Sequence, residues 1–459
     1  MHSAPGKQPL NSDHPSARWL KRTVRGNGPL YVALADALAE AVREGELQPG
    51  DQLPPQRTVA GLLGVDFTTV TRAYGLARSR GLVEGTVGRG TFIARAAEDE
   101  AGVVDLSMNL PPPPAGVSLA ALLKDTTRAI LEAADPGVLM SYHAGQGTLG
   151  QRTAAAVWLA PSMGEVDLDR ILVCAGAQTG LAAALAVLAA TGDALVVEPL
   201  TYPGLLSIAA RQGLRLLPCA VDAEGFVPEA LERLCAEQRP AAIYVTPTTR
   251  NPLATTMGEA RRRAVARIAR TAGVAIVEDD PYARLCDTPA PAFAALAPEL
   301  TWHVATLSKC LSPGLRVAWL VAPDAEGAAR LAEALRALSL MPPPLMAAVA
   351  TRWIRDGAAD DLLAGVREEA RARRTIAAGL LPGAVGAGES LHVWLDLPAG
   401  RSDRLRALAR ERGLALVTAE AFATGAEHPE GVRISLGGPG SRAVLTNALK
   451  GVAALVGGG

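Results

Sequence analysis

A lysine, an arginine and two hydroxyl residues are grouped in one short stretch of the chain. Apolar runs at 302–304 and 317–321 flank this stretch and predict a strand, a loop and a second strand. A lysine at a strand end in apolar surroundings loses its proton easily and can then attack a carbonyl carbon. Hydroxyl groups and an arginine can hold a phosphate, the arginine through two hydrogen bonds. The four residues are Thr306, Ser308, Lys309 and Arg316.

An aldehyde that reacts with amines and carries a phosphate is pyridoxal phosphate, so this stretch predicts a site for that cofactor. The alternative is that Lys309 is an ordinary solvated loop lysine. The stretch by itself leaves both interpretations open. The choice depends on which other residues the fold brings to the same place.

The chain before this loop alternates strands and helices, which predicts an α/β fold with a mostly parallel sheet covered by helices on both faces. Ligands of such sheets bind at the carboxyl ends of the strands. Residues that directly follow a predicted strand are therefore the candidates for a site. The strands are predicted at 171–174, 194–198, 241–246 and 274–278, with helices such as 179–190 and 258–272 between them.

Four groups that follow strands have the chemistry that this cofactor needs. A helix N-terminus suits a phosphate, a tyrosine can stack on an aromatic ring, and an asparagine can bond a ring hydroxyl. A buried carboxylate can keep a pyridine nitrogen protonated. Each has a structural alternative, namely a tight turn, a core tyrosine, an Asn-Pro turn and a helix-capping acid. The groups are Gly176-Ala177-Gln178, Tyr202, Asn251-Pro252 and Asp279-x-x-Tyr282.

In their order along the chain, these groups and the lysine stretch resemble fold type I pyridoxal-phosphate enzymes, the aspartate aminotransferase superfamily, over residues 105–455. By that resemblance, Lys309 forms the internal aldimine and is the catalytic residue, while Asp279 pairs with the pyridine nitrogen. Tyr202 stacks on the ring, and Asn251 and Tyr282 bond its hydroxyl. The phosphate is held by Ala177, Gln178, Thr306, Ser308 and Arg316.

One further arginine stands in a predicted strand near the end of the chain. The run 431–436 resembles the strand whose arginine grips the carboxylate of the substrate, which implies that role for Arg433. The alternative is an arginine on the surface of a strand. The same resemblance places a small C-terminal α+β part after residue 359, with strands at 391–397 and 414–417.

A separate unit is predicted upstream. An amphipathic helix from residue 30 is followed by two short helices joined at Gly64 and by a hairpin, the order of a winged helix-turn-helix. Leu-Pro-x-x-Arg at 53–57, Thr-Thr-Val-x-Arg-Ala-Tyr at 68–74 and Gly-Arg-Gly-Thr-Phe at 88–92 resemble GntR-type bacterial transcription regulators. The alternative is a small helical cap with a solvated charged face. The resemblance implies DNA contacts by Arg57, Thr69, Arg72 and Arg89.

The charge distribution and the cysteines limit the classes of partner. Residues 1–95 contain 12 Lys and Arg and 8 Asp and Glu, a charge of +4, so the net charge of −1 leaves −5 for the remainder. A basic head on an acidic body predicts an anionic partner for the head alone, and the GntR-type resemblance implies that this partner is duplex DNA. The five scattered cysteines form no C-x-x-C pair, and we expect neither disulfides nor a metal site. No run resembles a signal peptide or a membrane span, so we predict a cytoplasmic protein without membrane contact.

A GntR-type head joined to an aminotransferase-like body resembles the MocR subfamily of bacterial regulators. The predicted parts are a mobile arm at 1–28, a winged helix-turn-helix at 29–94, a linker at 95–104 and the pyridoxal-phosphate domain at 105–459. The resemblance implies a homodimeric, DNA-binding regulator that senses pyridoxal phosphate or an amino compound by aldimine exchange. The alternatives are a working aminotransferase with an accessory head, and a DNA-binding protein whose body is only a dimerisation scaffold. We expect any transaminase activity to be secondary to regulation.

Overall fold

The computed structural model describes residues 15–22, 29–48, 50–80, 82–86, 90–93, 103–143, 145–386 and 388–457 of the chain. Contacts between Cα atoms divide it into two compact units. The first, called the head here, comprises 1–104 together with 439–448. The second, called the body, comprises 105–438 together with 449–459.

Three helices and a two-stranded hairpin form the head, as predicted. They are α1 (Leu30–Arg43), α2 (Gln56–Leu63), α3 (Phe67–Ser79), β1 (Val83–Thr86) and β2 (Gly90–Ile93). α2 ends at Gly64, whose φ of 63° lies in the left-handed region that suits glycine. Asp66 caps α3 by accepting a hydrogen bond from the Thr68 N–H at 2.7 Å. The turn between these two caps separates the two helices of the predicted helix-turn-helix.

The hairpin is antiparallel and pairs Val83 with Ile93, which both lie in the core of the head. The core is completed by buried residues of the three helices, among them Leu34, Val59 and Val70. The apolar residues of α1 therefore form a common core with the two helices of the helix-turn-helix. Arg89, at the predicted tip of the hairpin, lies outside the described residues.

Part of the predicted arm is folded. Pro15–Arg22 forms a 3-10 helix that buries Trp19 in the core of the head, and Arg22 forms ion pairs with Glu44 at 2.6 Å and Glu46 at 2.8 Å. This differs from the prediction because a single tryptophan in a polar stretch produces no periodic pattern. Burying an aromatic side chain nevertheless removes roughly 150–250 Å² from water, which is enough to hold so short a segment.

The main part of the body alternates helices and strands. The strands are β3 (Val104–Asp105), β4 (Ile171–Cys174), β5 (Ala194–Val197), β6 (Arg215–Pro218), β7 (Val221–Asp222), β8 (Gly225–Phe226), β9 (Ala242–Val245), β10 (Ala275–Asp279), β11 (Thr301–Thr306) and β12 (Ala318–Val321). The helices are α4 (Leu119–Ala133), α5 (Pro136–Leu139), α6 (Leu149–Met163), α7 (Ala177–Leu188), α8 (Pro203–Gln212), α9 (Pro228–Gln238), α10 (Glu259–Ala272), α11 (Phe293–Leu296) and α12 (Ala325–Ser339).

Seven of these strands form one sheet in the order β4-β12-β11-β10-β9-β5-β6. β12 runs antiparallel to both of its neighbours, and the other adjacent pairs are parallel. The central strands are buried along almost their whole length because helices cover the sheet. The predicted mostly parallel α/β fold is confirmed, and its carboxyl edge is where the candidate residues lie.

The C-terminal part adds a smaller sheet with the order β13-β16-β15, in which β16 is paired antiparallel with both neighbours. This is the small α+β part that was predicted. Its elements are α13 (Pro344–Arg355), α14 (Ala358–Leu380), β13 (His392–Asp396), α15 (Ser402–Glu411), β14 (Leu414–Ala415), β15 (Val417–Thr418) and β16 (Gly431–Ser435). The last helix, α16 (Arg442–Gly457), is divided between the units, with residues 442–448 in the head and the remainder in the body. Of the helices in the described ranges, none has the length and apolar character to cross a lipid bilayer.

Candidate cofactor site

Lys309 stands three residues after β11 in the predicted strand-loop-strand. Its Nζ donates a hydrogen bond to the main-chain oxygen of Asn109 at 2.6 Å. Burial of the amine, reinforced by the positive charge of Arg433, lowers the pKa of Lys309 to about 8. About a tenth of such amines are unprotonated at pH 7, far more than for an exposed lysine. The residue is therefore equipped to attack a carbonyl carbon.

Asp279 ends β10 and is buried. The Tyr244 hydroxyl on the neighbouring strand β9 donates to its Oδ2 at 2.9 Å. Burial raises the pKa of Asp279 to about 6, and the Tyr244 hydrogen bond acts in the opposite direction. The carboxyl is thus ionised at neutral pH despite its burial, as a partner for a protonated pyridine nitrogen must be.

Replacing Tyr244 by Phe is expected to raise the pKa of Asp279 further, because the hydroxyl stabilises only the ionised form. A hydrogen bond to a charged group contributes roughly 1.5–3 kcal/mol, which corresponds to about one to two pKa units. In the wild type we expect the affinity for pyridoxal phosphate to decrease as the pH drops below about 6. In Tyr244→Phe the same decrease should begin at about pH 7–8. Absorbance titrations of pyridoxal phosphate binding between pH 5 and 8 measure this decrease in affinity. Tyr31→Phe in the head is the matched control. If the affinity of Tyr244→Phe decreases at the same pH as that of the wild type, the prediction is contradicted.

Tyr282, three residues after Asp279, is buried and connected to two residues that the sequence did not predict. Its hydroxyl oxygen accepts a hydrogen bond from Asn109 Nδ2 at 2.9 Å, and the same Nδ2 lies 2.9 Å from His392 Nδ1. Burial and the nearby charge of Arg433 lower the pKa of His392 to about 3, so the ring is neutral and Nδ1 can accept. Burial also raises the pKa of Tyr282, which stays a hydrogen-bond donor at neutral pH.

Arg433 on β16 reaches Asn251 across the body. Its NH1 donates to Asn251 Oδ1 at 2.7 Å, and its NH2 donates to the main-chain oxygen of Ser107. The guanidinium carbon lies 5.0 Å from the centre of the Phe422 ring, a cation–π contact. The structure thus joins Arg433 to Asn251, and the Nδ2 group of Asn251 remains to donate to a ring hydroxyl.

A second cluster surrounds the start of α7. Gly176 precedes this helix with a φ of 94°, and a Cβ at this position would lie 2.6 Å from Arg316 NH2. Only glycine at this position therefore leaves room for the Arg316 guanidinium. The NH2 group of Arg316 donates a hydrogen bond to the Ala175 oxygen at 3.1 Å. No side chain in the described ranges caps the first N–H groups of α7, at Ala177 and Gln178, which leaves them for an anion.

The two hydroxyl residues and Tyr202 are held close to these groups by the strand register and by hydrogen bonds. Thr306 Oγ1 is 3.0 Å from Ser308 Oγ in the turn before Lys309. The Tyr202 hydroxyl donates to Gln178 Oε1 at 2.8 Å, which ties the tyrosine at the start of α8 to the start of α7. Burial raises the pKa of Tyr202 to about 12.

The structure therefore connects the sequence candidates of the body in two groups. Lys309, Asp279, Tyr282, Asn251 and Arg433 share partners or influence each other's charge, and the others surround the start of α7. Sequence reasoning missed Tyr244, His392 and Asn109. A lone tyrosine or histidine within a strand carries no signal, whereas the four prolines at 111–114, close to Asn109, are a signal that could have been used, since such runs favour an extended backbone.

These residues fit pyridoxal 5'-phosphate. They supply an amine, a buried carboxylate, a hydroxyl donor, an arginine and an uncapped helix start. Two buried polar atoms, Asn109 Oδ1 and Arg433 Nε, have no hydrogen-bond partner among the described residues and are left for a ligand. When bound, the cofactor supplies an aldehyde that reacts with amines and a ring that acts as an electron sink.

Comparisons with known proteins identify the families of both parts of the chain. The model of the family "Aminotransferase class I and II" matches residues 101–452, and that of "Bacterial regulatory proteins, gntR family" matches residues 30–93. The HTH-type transcriptional regulator YdeF of Bacillus subtilis is 30% identical over 446 residues, which cover 94% of this chain and 95% of YdeF. The vitamin B6 salvage pathway transcriptional repressor PtsJ of Salmonella typhimurium is 28% identical, over 89% of this chain and 95% of PtsJ.

The crystal structure of LysN, an alpha-aminoadipate aminotransferase from Thermus thermophilus, matches 78% of this chain and 92% of LysN with a TM-score of 0.71. At 24% identity this likeness shows a shared fold. Pyridoxal phosphate is the cofactor that the family and the donor set indicate. This chain therefore belongs to the aminotransferase class I and II family and carries a GntR-family head, the domain combination of the MocR subfamily of transcription regulators.

Proposed function

We propose that this protein is a DNA-binding transcription regulator that senses pyridoxal phosphate or an amino compound by aldimine exchange at Lys309. The observation that carries the proposal is one chain that combines a winged helix-turn-helix with a lysine of pKa about 8 inside a cofactor donor set. The name of PtsJ, a repressor of vitamin B6 salvage, supports pyridoxal phosphate itself as an effector. A regulator of this kind works where the bacterial chromosome is, in the cytoplasm.

The head supplies the groups that duplex DNA requires. Residues at the N-terminal end of a recognition helix reach base edges and phosphates. Arg72 on α3 and Arg57 on α2 are exposed, and the Arg57 guanidinium carbon lies 5.9 Å from the centre of the Phe67 ring at the start of α3. We propose that these two arginines contact an operator, together with Thr69 and Arg89.

One site in the body would serve either of the two proposed effectors. Pyridoxal phosphate alone would use Lys309 and the start of α7. An amino acid would in addition use Arg433, because arginine pairs with a carboxylate through two hydrogen bonds. Its carboxylate would replace the Ser107 oxygen that Arg433 now binds.

A homodimer is part of the proposal, because the body exposes several apolar side chains. Contiguous exposed apolar surface is typical of a protein–protein interface. Tyr142 is 80% exposed, and Val138, Met140 and Leu149 are each more than 60% exposed. The His143 N–H bonds Met341 Sδ at 3.3 Å, which places exposed Leu338 and its neighbours in the same region. A two-fold dimer would present two heads to two half-sites.

A working aminotransferase with an accessory head is the second candidate. The pairing of an amine at Lys309 with an ionised carboxyl at Asp279 favours it, because proton transfer by the lysine and a protonated pyridine nitrogen are what transamination needs. Both functions can share the site, and they differ in which output responds to the ligand.

The test measures both outputs for a panel of amino acids and for free pyridoxal phosphate. Operator binding is measured by fluorescence anisotropy, and turnover is measured as keto-acid release. We expect at least one ligand to change operator affinity by about 5- to 150-fold, the usual range of coupling between two sites, with slow or no turnover. If no ligand alters operator binding while one amino acid is turned over at an ordinary enzymatic rate, the enzyme interpretation replaces the regulator.

A further inference from the structure

Residues 105–112, called the strap here, contain a bend at Ser107 and Met108, whose N–H groups donate to Asp105 Oδ1 at 2.7 and 3.2 Å, and are hydrogen-bonded to the small C-terminal part of the body. The Leu106 N–H donates to the Ala415 oxygen at 2.9 Å, and the Leu106 oxygen accepts from the Ser435 N–H at 2.8 Å. Ser435 Oγ donates to the Met108 oxygen at 2.7 Å. The strap thus follows β16, the strand that carries Arg433.

Asn109 is the strap residue with the most contacts to the cofactor donor set. It is 3% exposed. Its main-chain oxygen accepts from Lys309 Nζ at 2.6 Å, and its Nδ2 bonds Tyr282 and His392. Its Oδ1 has no partner among the described residues. One residue therefore touches both the amine and the hydroxyl that a cofactor would use.

A second strap carbonyl holds the other cationic group. Arg433 NH2 donates to the Ser107 oxygen. In this state the Lys309 amine and the Arg433 guanidinium are each engaged by the backbone of the strap. A ligand with an aldehyde or a carboxylate has to compete with these backbone oxygens.

We propose that Asn109 is a positioning residue that couples the chemical state of Lys309 to the strap. The inference rests on the function proposed above, and it adds which residue detects the ligand. When the Lys309 nitrogen bonds to the aldehyde carbon, the carbon–oxygen double bond breaks and the oxygen leaves as water with both protons of the neutral amine. The Asn109 oxygen then loses the donor that held it, and the strap loses one of its attachments.

The side chain of Asn109 acts on Tyr282. Because the Tyr282 oxygen accepts from Nδ2, its own proton points away from Asn109 and is available to a ring hydroxyl of the cofactor. The neutral His392 accepts from the same Nδ2 and keeps the amide oriented. Asn109 therefore sets the direction of a hydrogen bond that tunes the Lys309 adduct.

The strap also occupies a particular place in the sequence. Residue 105 is the first residue of the body and directly follows residue 104 of the head, so a change in how firmly the strap is held acts next to the chain boundary between the two units. A ligand can shift such an equilibrium only by favouring one of its states. Release of the strap by reaction at Lys309 provides that difference.

Hydrogen exchange of the full-length protein with and without pyridoxal phosphate tests the coupling. We expect amide exchange at Leu106, Ser107 and Met108 to become about tenfold faster on ligation, the factor that corresponds to one hydrogen bond. Lys309→Ala should show the faster exchange without ligand and no response to it. Exchange in α10 serves as the internal reference.

The outcomes separate the two proposals. If the wild type shows no visible absorbance band of a lysine adduct, the proposed function fails and this inference fails with it. If the band forms and strap exchange stays unchanged or slows, only the coupling is overturned.

Asn109→Asp and Asn109→Ala test the side chain, since both remove the Nδ2 donor and the first keeps the shape. We expect the pH midpoint of the visible band to shift by about one unit in both variants, because one hydrogen bond to Tyr282 is lost. Asn447→Ala, at an exposed position of the C-terminal helix α16, is the matched control. A midpoint equal to that of the wild type in both variants overturns the positioning role of Asn109.

Discussion

A Lys309→Ala variant is expected to lose the visible absorbance band that pyridoxal phosphate acquires on a lysine, and to lose the response of DNA binding to that ligand. The chain contains five lysines, Lys7, Lys21, Lys124, Lys309 and Lys450. Among them Lys309 has a pKa lowered to about 8 by burial and by Arg433. It therefore supplies the unprotonated amine that the reaction requires.

The pH dependence of the wild type follows from the same pKa. Only the neutral amine attacks, so the rate of adduct formation increases with pH up to about pH 8. Between pH 6 and pH 8 the neutral fraction rises from about 1% to about half, a change of roughly 50-fold. Stopped-flow absorbance measures this rate.

The control for Lys309→Ala is Lys450→Ala, which removes an exposed lysine from the C-terminal helix. Circular dichroism and thermal unfolding establish that both variants are folded. A band that persists in Lys309→Ala, or that disappears in Lys450→Ala as well, would contradict the assignment of Lys309.

Arg72→Ala is expected to weaken operator binding by about 10- to 100-fold, within the roughly 1–3 kcal/mol that a contact between arginine and a base contributes. Arg72 is exposed on α3, in the half of the helix that begins at the Asp66 cap. If the contact is to a phosphate instead, affinity falls uniformly across sequences and the slope of log affinity against log salt decreases by about 1. Titrations at several salt concentrations, on operator and on unrelated duplex, distinguish the two cases.

Arg263→Ala is the charge-matched control for this experiment. Arg263 lies on α10 of the body and forms an ion pair with Glu259 at 2.6 Å. We expect that variant to bind DNA like the wild type. Equal affinity and equal salt slope in Arg72→Ala and Arg263→Ala would remove Arg72 from the interface.

The amino-acid sequence by itself determined the elements and predicted which lysine would react. Buried parallel strands are continuous apolar runs, and helices carry their own caps, so local patterns predicted β9, β10, β11 and α3 correctly. The Lys309 stretch was recognisable because its hydroxyls, lysine and arginine lie within one loop. The order of the other cofactor residues was visible because each directly follows a strand or precedes a helix.

Only the tertiary structure decided which distant residues surround that lysine. Asn109 meets Lys309 and Tyr282 although 200 and 173 positions separate them, and Arg433 meets Asn251 across 182 positions. Hydrogen bonds between residues so far apart produce no periodic pattern in the sequence. The local sequence around a polar residue is the same whether that residue faces water or a buried amine. Burial then sets the chemistry, since it lowers the pKa of Lys309 and raises that of Asp279 through desolvation that no local sequence pattern encodes.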